Sequence, residues 1–211
     1  MNELLYKYKK SPITYSVIGI CIVVYVVSVL VYGIEMSAYE GLTFGGYNPL
    51  LVAFGGDYYR LITANFIHFG LLHIVVNCYS MLGLGVFIEN TLSRVEYIII
   101  LGVSALFTTL LPFVLFLING FEANVVSGGI SGVIFGLIGS LGALALCYKD
   151  VFMTVFKQLA PNVTMMLVIS FIVPSISLSG HVSGMIGGFV ATYIILKLKR
   201  KQKNLYEDLL N

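Results

Sequence analysis

The segment Ser127–Tyr148, SGGISGVIFGLIGSLGALALCY, contains no charged side chain. A helix over Ser131–Tyr148 is about 27 Å long at 1.5 Å per residue, which is close to the roughly 30 Å thickness of a bilayer's hydrocarbon core. Within it Gly132, Gly136 and Ser140 recur every four residues, a spacing that lets membrane helices pack closely. The segment therefore predicts a transmembrane helix packed tightly against a neighbour.

The composition of the whole chain agrees with a membrane setting. Of 211 residues, 58% are hydrophobic and 10% are charged, whereas soluble domains contain about 25% charged residues. Helices are the only open-ended structures that cross lipid, because all their backbone groups are paired internally. We therefore predict an all-α, polytopic bundle of six transmembrane helices. Helices 1 to 6 are expected at Pro12–Tyr32, Gly70–Phe87, Val95–Ile118, Ser131–Tyr148, Asn162–Pro174 and His181–Leu198.

Three features refine this organisation. Helix 5 is bounded by two prolines, and an alternative is an earlier start within Val151–Leu159. The long Gly33–Phe69 connection is rich in Tyr, Phe and Leu, so we expect it in the headgroup region rather than in water. We divide the chain into a cytoplasmic N-terminal segment (1–11), a six-helix domain (12–198) and a cytoplasmic basic tail (199–211).

Almost all of the cations fall on one side of this arrangement. That side holds Lys7, Lys9, Lys10, Arg94, Lys149, Lys157, Lys197, Lys199, Arg200, Lys201 and Lys203, and the other side holds Arg60. Cations concentrate in cytoplasmic loops, so both termini are expected in the cytoplasm, with helices 2, 4 and 6 running inward. Topology and anionic lipid explain the basic tail without a nucleic-acid partner. The small six-helix size favours a bacterial cell (plasma) membrane.

Polar side chains inside the predicted spans are candidates for function, because lipid makes them costly. Ser131 begins helix 4, and His181 begins helix 6. His73 and Asn77 share one face of helix 2, since they are four residues apart. With helices 2, 4 and 6 running inward, all four side chains lie near one outer depth. A second small-residue ridge, able to pack against that of helix 4, is formed by Gly180, Gly184 and Gly188.

These residue types permit acyl transfer. A serine hydroxyl becomes a good nucleophile when a base removes its proton, and histidine is the usual base near neutral pH. Ser131 is thus the candidate nucleophile and His181 its base. The backbone N–H of Ser131, the Asn77 amide and a ring N–H of His73 are candidate donors to an oxyanion. No carboxylate occurs at this depth in the three helices, which favours a Ser-His dyad over a triad.

Other interpretations of these residues fit the sequence less well. A serine that begins a helix is more often a cap than a nucleophile, but its coincidence with His181 favours the nucleophile. The histidines show no HExxH spacing, so neither a metal nor a cofactor is predicted. Val133 stands where a GxSxG elbow needs glycine, which excludes an α/β-hydrolase. The cysteines lie in apolar runs and predict no disulfide framework: Cys21, Cys78 and Cys147.

Arg60 and Glu89 are interpreted as structural residues. His68 is open between an interfacial structural histidine and a functional one.

The motifs from about Gly56 to Gly188 resemble those of the rhomboid proteases, in the family's order. Gly56–His68 is similar to G-x-x-W-R-x-x-T…F-x-H. The shorter motifs H-x-x-x-N, G-x-x-x-E, G-x-S-G and G-H-x-x-G correspond to His73–Asn77, Gly85–Glu89, Gly129–Gly132 and Gly180–Gly184. Each motif alone is weak, whereas their order and placement on helices are specific. The chain departs from the family pattern at Tyr59, where the family has Trp, at Phe135, where Tyr is common, and at Ala64, where a histidine is often found.

The resemblance implies a six-helix rhomboid-like bundle that cleaves transmembrane segments of other membrane proteins, with single-span proteins in the bilayer as substrates. It implies that Ser131 is the nucleophile, His181 the base, and His73 and Asn77 the oxyanion partners, with cleavage after a small residue near the outer face. We expect lateral substrate entry past helix 5, and water for deacylation near the Ser175–Ser179 loop. The alternative is a catalytically silent rhomboid-like protein that binds or escorts transmembrane helices, or a small transporter.

Overall fold

The computed structural model describes residues 10–172 and 177–210. Among these residues, five helices are long and apolar enough to cross a membrane, and a sixth, of 17 residues, is shorter. They are α1 (Pro12–Tyr32), α2 (Leu71–Thr91), α3 (Arg94–Asn119), α4 (Ser131–Cys147), α5 (Lys149–Ile172) and α6 (Leu178–Leu210). Within the described ranges, β pairing is limited to the single bridge between Tyr47 and Ser127. The predicted all-α, polytopic membrane bundle is confirmed.

The centre of the bundle is α4. Every residue from Gly132 to Leu141 is buried, although α4 is the shortest of the six. It packs against α6, α3 and α5. A helix that is apolar on all sides belongs in a core, so the segment with the fewest polar groups lies where it is covered on every face.

Glycines allow α4 and α6 to approach backbone to backbone. A Cβ added to Gly188 would collide with the carbonyl oxygen of Gly136, and one added to Gly184 would collide with that of Gly132. Below these contacts Thr192 Oγ1 donates to Ser140 Oγ at 2.8 Å. The two predicted ridges therefore meet. Gly180 is the exception, because it faces α3 and Ser177 instead of α4.

Four predicted helix boundaries were wrong by three residues or more. Helix 2 ends at Thr91 rather than Phe87, and helix 6 begins at Leu178 rather than His181, since Ser177 caps that start.

The fifth helix begins at Lys149 rather than Asn162, two residues before the alternative start region Val151–Leu159, and contains Pro161 in its interior. Its early start follows from packing, since apolar side chains of the Val151–Leu159 run contact the core. The predicted end at Pro174 lies outside the described residues. The sixth helix continues to Leu210 rather than ending at Leu198, because the Lys, Arg and Gln residues that follow are good helix formers.

The connection before α2 is built from short helices at Ala38–Thr43, Pro49–Phe54 and Arg60–Thr63, followed by a 3₁₀ turn at Ala64–Phe66. Arg60 is buried and holds this segment together. Its Nη1 donates to the carbonyl oxygens of Leu42 and Gly46 at 2.7 and 2.8 Å, and its Nε contacts Asp57 at 2.8 Å. These contacts are structural.

At the other end of α2, Glu89 anchors α1. Its carboxylate accepts hydrogen bonds from the backbone N–H groups of Ile13 and Thr14 at 3.0 and 2.8 Å, and from Thr14 Oγ1 at 2.7 Å. A carboxylate at a helix N-terminus satisfies open N–H groups and interacts favourably with the helix dipole. Glu89 therefore joins the start of α1 to the end of α2.

Candidate active site

Ser131 and His181 lie in hydrogen-bond contact at the beginnings of α4 and α6. His181 Nε2 is 2.8 Å from Ser131 Oγ. His181 is buried and Ser131 is half-buried. The close approach of α4 and α6 along their glycines brings these two helix starts together. The geometry of the pair therefore depends on glycines that lie farther along both helices.

The beginning of α6 is held by its own serine. Ser177 Oγ accepts from the Gly180 N–H at 3.1 Å, and the Ser177 carbonyl accepts from the His181 N–H at 3.1 Å. Ser177 thus caps the turn that carries His181. It belongs to the predicted Ser175–Ser179 loop, of which 175 and 176 lie outside the described residues.

Phe135 covers the His181 ring. The two ring centroids are 4.3 Å apart and the planes differ by 18°. Phe135 is fully buried and lies one helical turn after Ser131 on α4, so a single helix supplies both the hydroxyl partner and the surface on which the imidazole rests. Phe135, which stands where Tyr is common, thus keeps an aromatic ring against His181.

The backbone immediately before Ser131 lies against His73 and Asn77. Gly129 has φ +113°, and a Cβ at this position would lie 2.8 Å from His73 Nε2 and 3.6 Å from Asn77 Nδ2. This φ favours glycine over other residues. The Gly129 N–H donates to the Ala64 carbonyl at 2.9 Å. Glycine at 129 therefore serves both the turn and the close approach of two polar side chains.

His73 and Asn77 each present a nitrogen donor at this place. The Phe69 N–H donates to His73 Nδ1 at 3.4 Å, so in the neutral ring the proton is on Nε2, the nitrogen that faces Gly129. Asn77 Nδ2 is buried and has no hydrogen-bond acceptor within the described part of the chain. Buried donors are usually paired, and one without a protein partner is available to a ligand.

His68 lies behind His73 rather than beside Ser131. It is almost fully buried, its Nδ1 is 3.2 Å from the Phe66 carbonyl, and its ring centroid is 5.0 Å from that of His73. Burial, aided by the neighbouring His73, lowers the pKa of His68 to about 4, so the ring is neutral at pH 7. These contacts favour a structural role in which His68 supports His73.

Glu122 is a residue that sequence reasoning missed. It lies in the loop between α3 and α4 with φ +55°, and its Oε2 accepts from Ser179 Oγ at 2.5 Å. A non-glycine residue at positive φ is uncommon. No sequence signal joins two positions 57 residues apart, and Glu122 belongs to none of the quoted motifs. The contact ties this loop to the beginning of α6.

Comparison with known proteins matches most of this chain to one family. A family model described as the rhomboid domain matches residues 55–198, well over half of the chain. This chain belongs to the rhomboid family. As a rhomboid with several apolar helices, it is a multi-pass membrane protein.

Two curated rhomboid relatives are similar to it over most of its length. Rhomboid protease GluP of Bacillus subtilis (strain 168) is 26% identical over 154 residues, which is 67% of this chain and 28% of that protein. RHOMBOID-like protein 4 of Arabidopsis thaliana is 24% identical over 171 residues, which is 73% of this chain and 38% of that protein. The similarity thus covers well under half of each relative.

Proposed function

We propose that this rhomboid is an intramembrane serine endopeptidase that cleaves transmembrane segments of other membrane proteins near the outer membrane face. The observation that carries the proposal is the 2.8 Å contact between His181 Nε2 and Ser131 Oγ. A nucleophile and base within hydrogen-bond reach are the first requirement of this chemistry. Rhomboid protease GluP, a relative by similarity, adds support.

In the proposed reaction, Ser131 Oγ attacks the scissile carbonyl carbon while its proton passes to His181 Nε2. The tetrahedral intermediate collapses, the C–N bond breaks, and His181 returns the proton to the leaving amine. Water then attacks the acyl-enzyme ester, giving its proton to His181, and the released Ser131 oxygen takes that proton back. The net change is hydrolysis of one peptide bond.

The oxyanion of each tetrahedral intermediate is proposed to be stabilised by three donors. They are the Ser131 backbone N–H, His73 Nε2–H and Asn77 Nδ2. Support comes from the position of both side-chain nitrogens beside Gly129 and from the buried, unaccepted Asn77 amide. Uncharged donors that are fixed before reaction stabilise developing charge effectively in a water-poor site.

The base is proposed to act as part of a dyad. The sequence has no Asp or Glu in the outer turns of α2, α4 or α6. The flat contact with Phe135 and the backbone bond to Ser177 position the His181 ring, which is the orienting task that the carboxylate performs in a triad.

We propose that this protein lies in the cell (plasma) membrane with both of its termini in the cytoplasm. Substrate is proposed to enter its active site laterally, past α5. Within the described range Lys149–Val168, no residue of the apolar window of α5 is buried, compared with 44% of the corresponding window of α6. A helix with so little covered surface is the one most easily displaced. Single-span substrates would then unwind beside the α2 and α4 ends.

The gate is tested by linking the outer half of α5 to α2 with engineered cysteines, after the three native cysteines have been replaced. We expect turnover of a membrane-embedded substrate to fall on oxidation. The control links the inner ends at Phe87 and Phe152, whose rings are already 6.3 Å apart. Equal turnover before and after the outer cross-link would exclude the gate.

The function is tested with purified protein and a single-span substrate in detergent. We expect cleavage products with the native protein and none with Ser131→Ala or His181→Ala. Ser140→Ala is the matched control, because it removes another α4 hydroxyl, in hydrogen-bond contact with Thr192, and leaves the site intact. Product that persists in Ser131→Ala contradicts the mechanism. Binding without cleavage by the native protein would favour the silent, helix-escorting alternative.

A further inference from the structure

A second site-like feature lies on the inner side of the bundle, below the Ser131 and His181 pair. It is an apolar groove of about 610 Å³ between α4, α5 and α6, within the roughly 300–1,000 Å³ of typical ligand sites. Its walls include Leu141 and Ala145 of α4, Phe156 of α5 and Phe189 of α6. Among the described side chains that line it, Thr164 supplies the one hydroxyl. We call it the inner groove.

The α5 wall of the inner groove begins with a cation. Its lining side chains recur at three- and four-residue steps from Met153 to Leu167, which is one face of a helix. Lys149 is four residues before Met153, so it continues that face at the inner end of α5. Its side chain is exposed.

The α6 wall ends in the same way. Met185 and Phe189 line the groove, and Phe189 stacks on Tyr193 with ring centroids 6.1 Å apart. Lys197 then lies over the Tyr193 ring, with Nζ 5.3 Å from its centroid. Arg200 follows three residues later on this face. Along this face of α6, towards its inner end, apolar side chains are thus followed by an aromatic ring and then by two cations.

One cation from each wall lies near the same depth. From His181 to Lys197 and from Ser131 to Cys147 is about 24 Å in each case along parallel helices that begin in contact. Lys149 directly follows the end of α4. Lys199 is not part of this group, because its Nζ pairs with Glu96 Oε1 at 2.6 Å. By this count Lys149 and Lys197 lie near one depth, beyond the inner end of the groove, and Arg200 lies about 4.5 Å deeper on the face that carries Lys197.

We propose that the inner groove binds an anionic phospholipid of the adjacent leaflet, with one acyl chain against α4, α5 and α6 and its phosphate among Lys149, Lys197 and Arg200. The apolar walls suit a hydrocarbon chain, and the cations suit a headgroup of negative charge. Each Lys or Arg near a membrane surface strengthens anionic lipid binding by roughly fivefold. The bound lipid would fill the inner groove beside α5, which has few buried residues of its own.

The experiment uses the absence of tryptophan from the chain. Met153→Trp places one fluorophore in the groove wall, and Ile99→Trp places a control on the lipid-exposed surface of α3 near the same depth. Each variant is reconstituted in phosphatidylcholine containing a minor fraction of brominated lipid, which quenches tryptophan on contact. Brominated phosphatidylglycerol is compared with brominated phosphatidylcholine.

We expect brominated phosphatidylglycerol to quench Met153→Trp with at least about fivefold higher apparent affinity than the choline lipid, and Ile99→Trp to show a smaller preference. Replacing Lys149, Lys197 and Arg200 by Gln in the Met153→Trp background should abolish the preference. Lys10→Gln is the charge control, because Lys10 is an exposed cation just before α1, a helix that supplies none of the described lining of the groove, and the preference should persist.

Equal quenching of Met153→Trp by the two lipids would overturn the proposal and leave ordinary annular lipid only. An unchanged preference in the triple Gln variant would also overturn it. Gly142→Leu provides a second measurement, because a Cβ at Gly142 meets Phe156 at 3.4 Å and Phe189 at 3.7 Å, so a larger side chain occupies the groove. It should weaken quenching by both lipids. These readouts require no proteolysis, so they stand or fall separately from the proposed function.

Discussion

Phe135 lies flat against His181, with ring centroids 4.3 Å apart and an angle of 18° between the planes. Since Phe135 is fully buried, its own position is set by the core rather than by solvent. The imidazole is thus held between a rigid apolar surface and the Ser131 hydroxyl. An arrangement in which packing fixes the ring differs from one in which a carboxylate does so, and it predicts a different sensitivity to mutation.

Replacing Phe135 by Leu is expected to lower kcat more than it raises KM. Leu keeps the site apolar but removes the flat surface, and small misplacements of a catalytic group cost up to about 100-fold in rate. Phe135→Tyr retains the ring and should retain most activity. Phe116→Leu, which removes another buried and stacked ring away from His181, is the control. Steady-state kinetics with a fluorogenic transmembrane substrate measure the effect, and equal losses in both Leu variants would refute it.

Asn77→Ala is expected to lower kcat by roughly 100- to 1,000-fold with little change in KM, the loss typical of one oxyanion donor. The buried Asn77 amide would then stabilise charge only in the transition state. Asn90→Ala is the matched control, because Asn90 lies on the same helix and bonds Ser11 Oγ at 2.8 Å far from the site. A kcat in Asn77→Ala within about twofold of the native value would remove Asn77 from the proposed mechanism.

The membrane fold and the pairing of helices 4 and 6 followed from the sequence because they depend on long, regular patterns. Apolar length predicted the spans. Small residues four apart predicted the contact that Gly184 and Gly188 make with α4. Ser131 and His181 were placed together by the same reasoning, since each begins a helix on the same predicted side of the membrane.

Other features escaped sequence reasoning because they depend on tertiary contacts. The first prediction began α5 at Asn162, because Pro161 suggested a boundary. The alternative start within Val151–Leu159 came nearer to the observed one at Lys149, since the helix continues through Pro161. Prolines are tolerated inside transmembrane helices because neighbouring helices and polar groups pair with the backbone groups that the proline leaves free. Two contacts involve loops, whose path no sequence periodicity predicts. One is the hydrogen bond from the Phe69 N–H that determines which nitrogen of His73 carries the proton, and the other is the contact of Glu122 with Ser179.

The α4 and α6 contact predicts a sharp difference between two glycines. Gly188→Ala should lower the thermal midpoint strongly, because its Cβ would collide with the Gly136 carbonyl and overpacking typically costs about 1–3 kcal/mol or more. Gly102→Ala on α3 is the control, since a Cβ there meets nothing within 4 Å and Ala is the better helix former. Thermal unfolding in detergent measures both. Equal midpoints for the two variants would show that the close approach is dispensable.

Lowering the pH is expected to reduce the free energy of unfolding, in part through His68. Its folded pKa is about 4, whereas an unfolded histidine titrates near 6.5. Between these values the unfolded chain binds the additional proton, so stability is full above about pH 6.5 and decreases as pH falls towards 4. His68→Gln removes this titrating side chain and should make the decrease in stability on acidification shallower.

The measurement is the thermal midpoint in detergent at pH 7.5, 6.0 and 5.0 for the native protein and His68→Gln. The slopes of the two proteins are compared, so that contributions from all other groups cancel in the difference. The variant will be less stable at pH 7.5 if it loses the Phe66 contact, but its decrease on acidification should be the shallower one. Parallel decreases would mean that His68 is not held neutral by its burial beside His73.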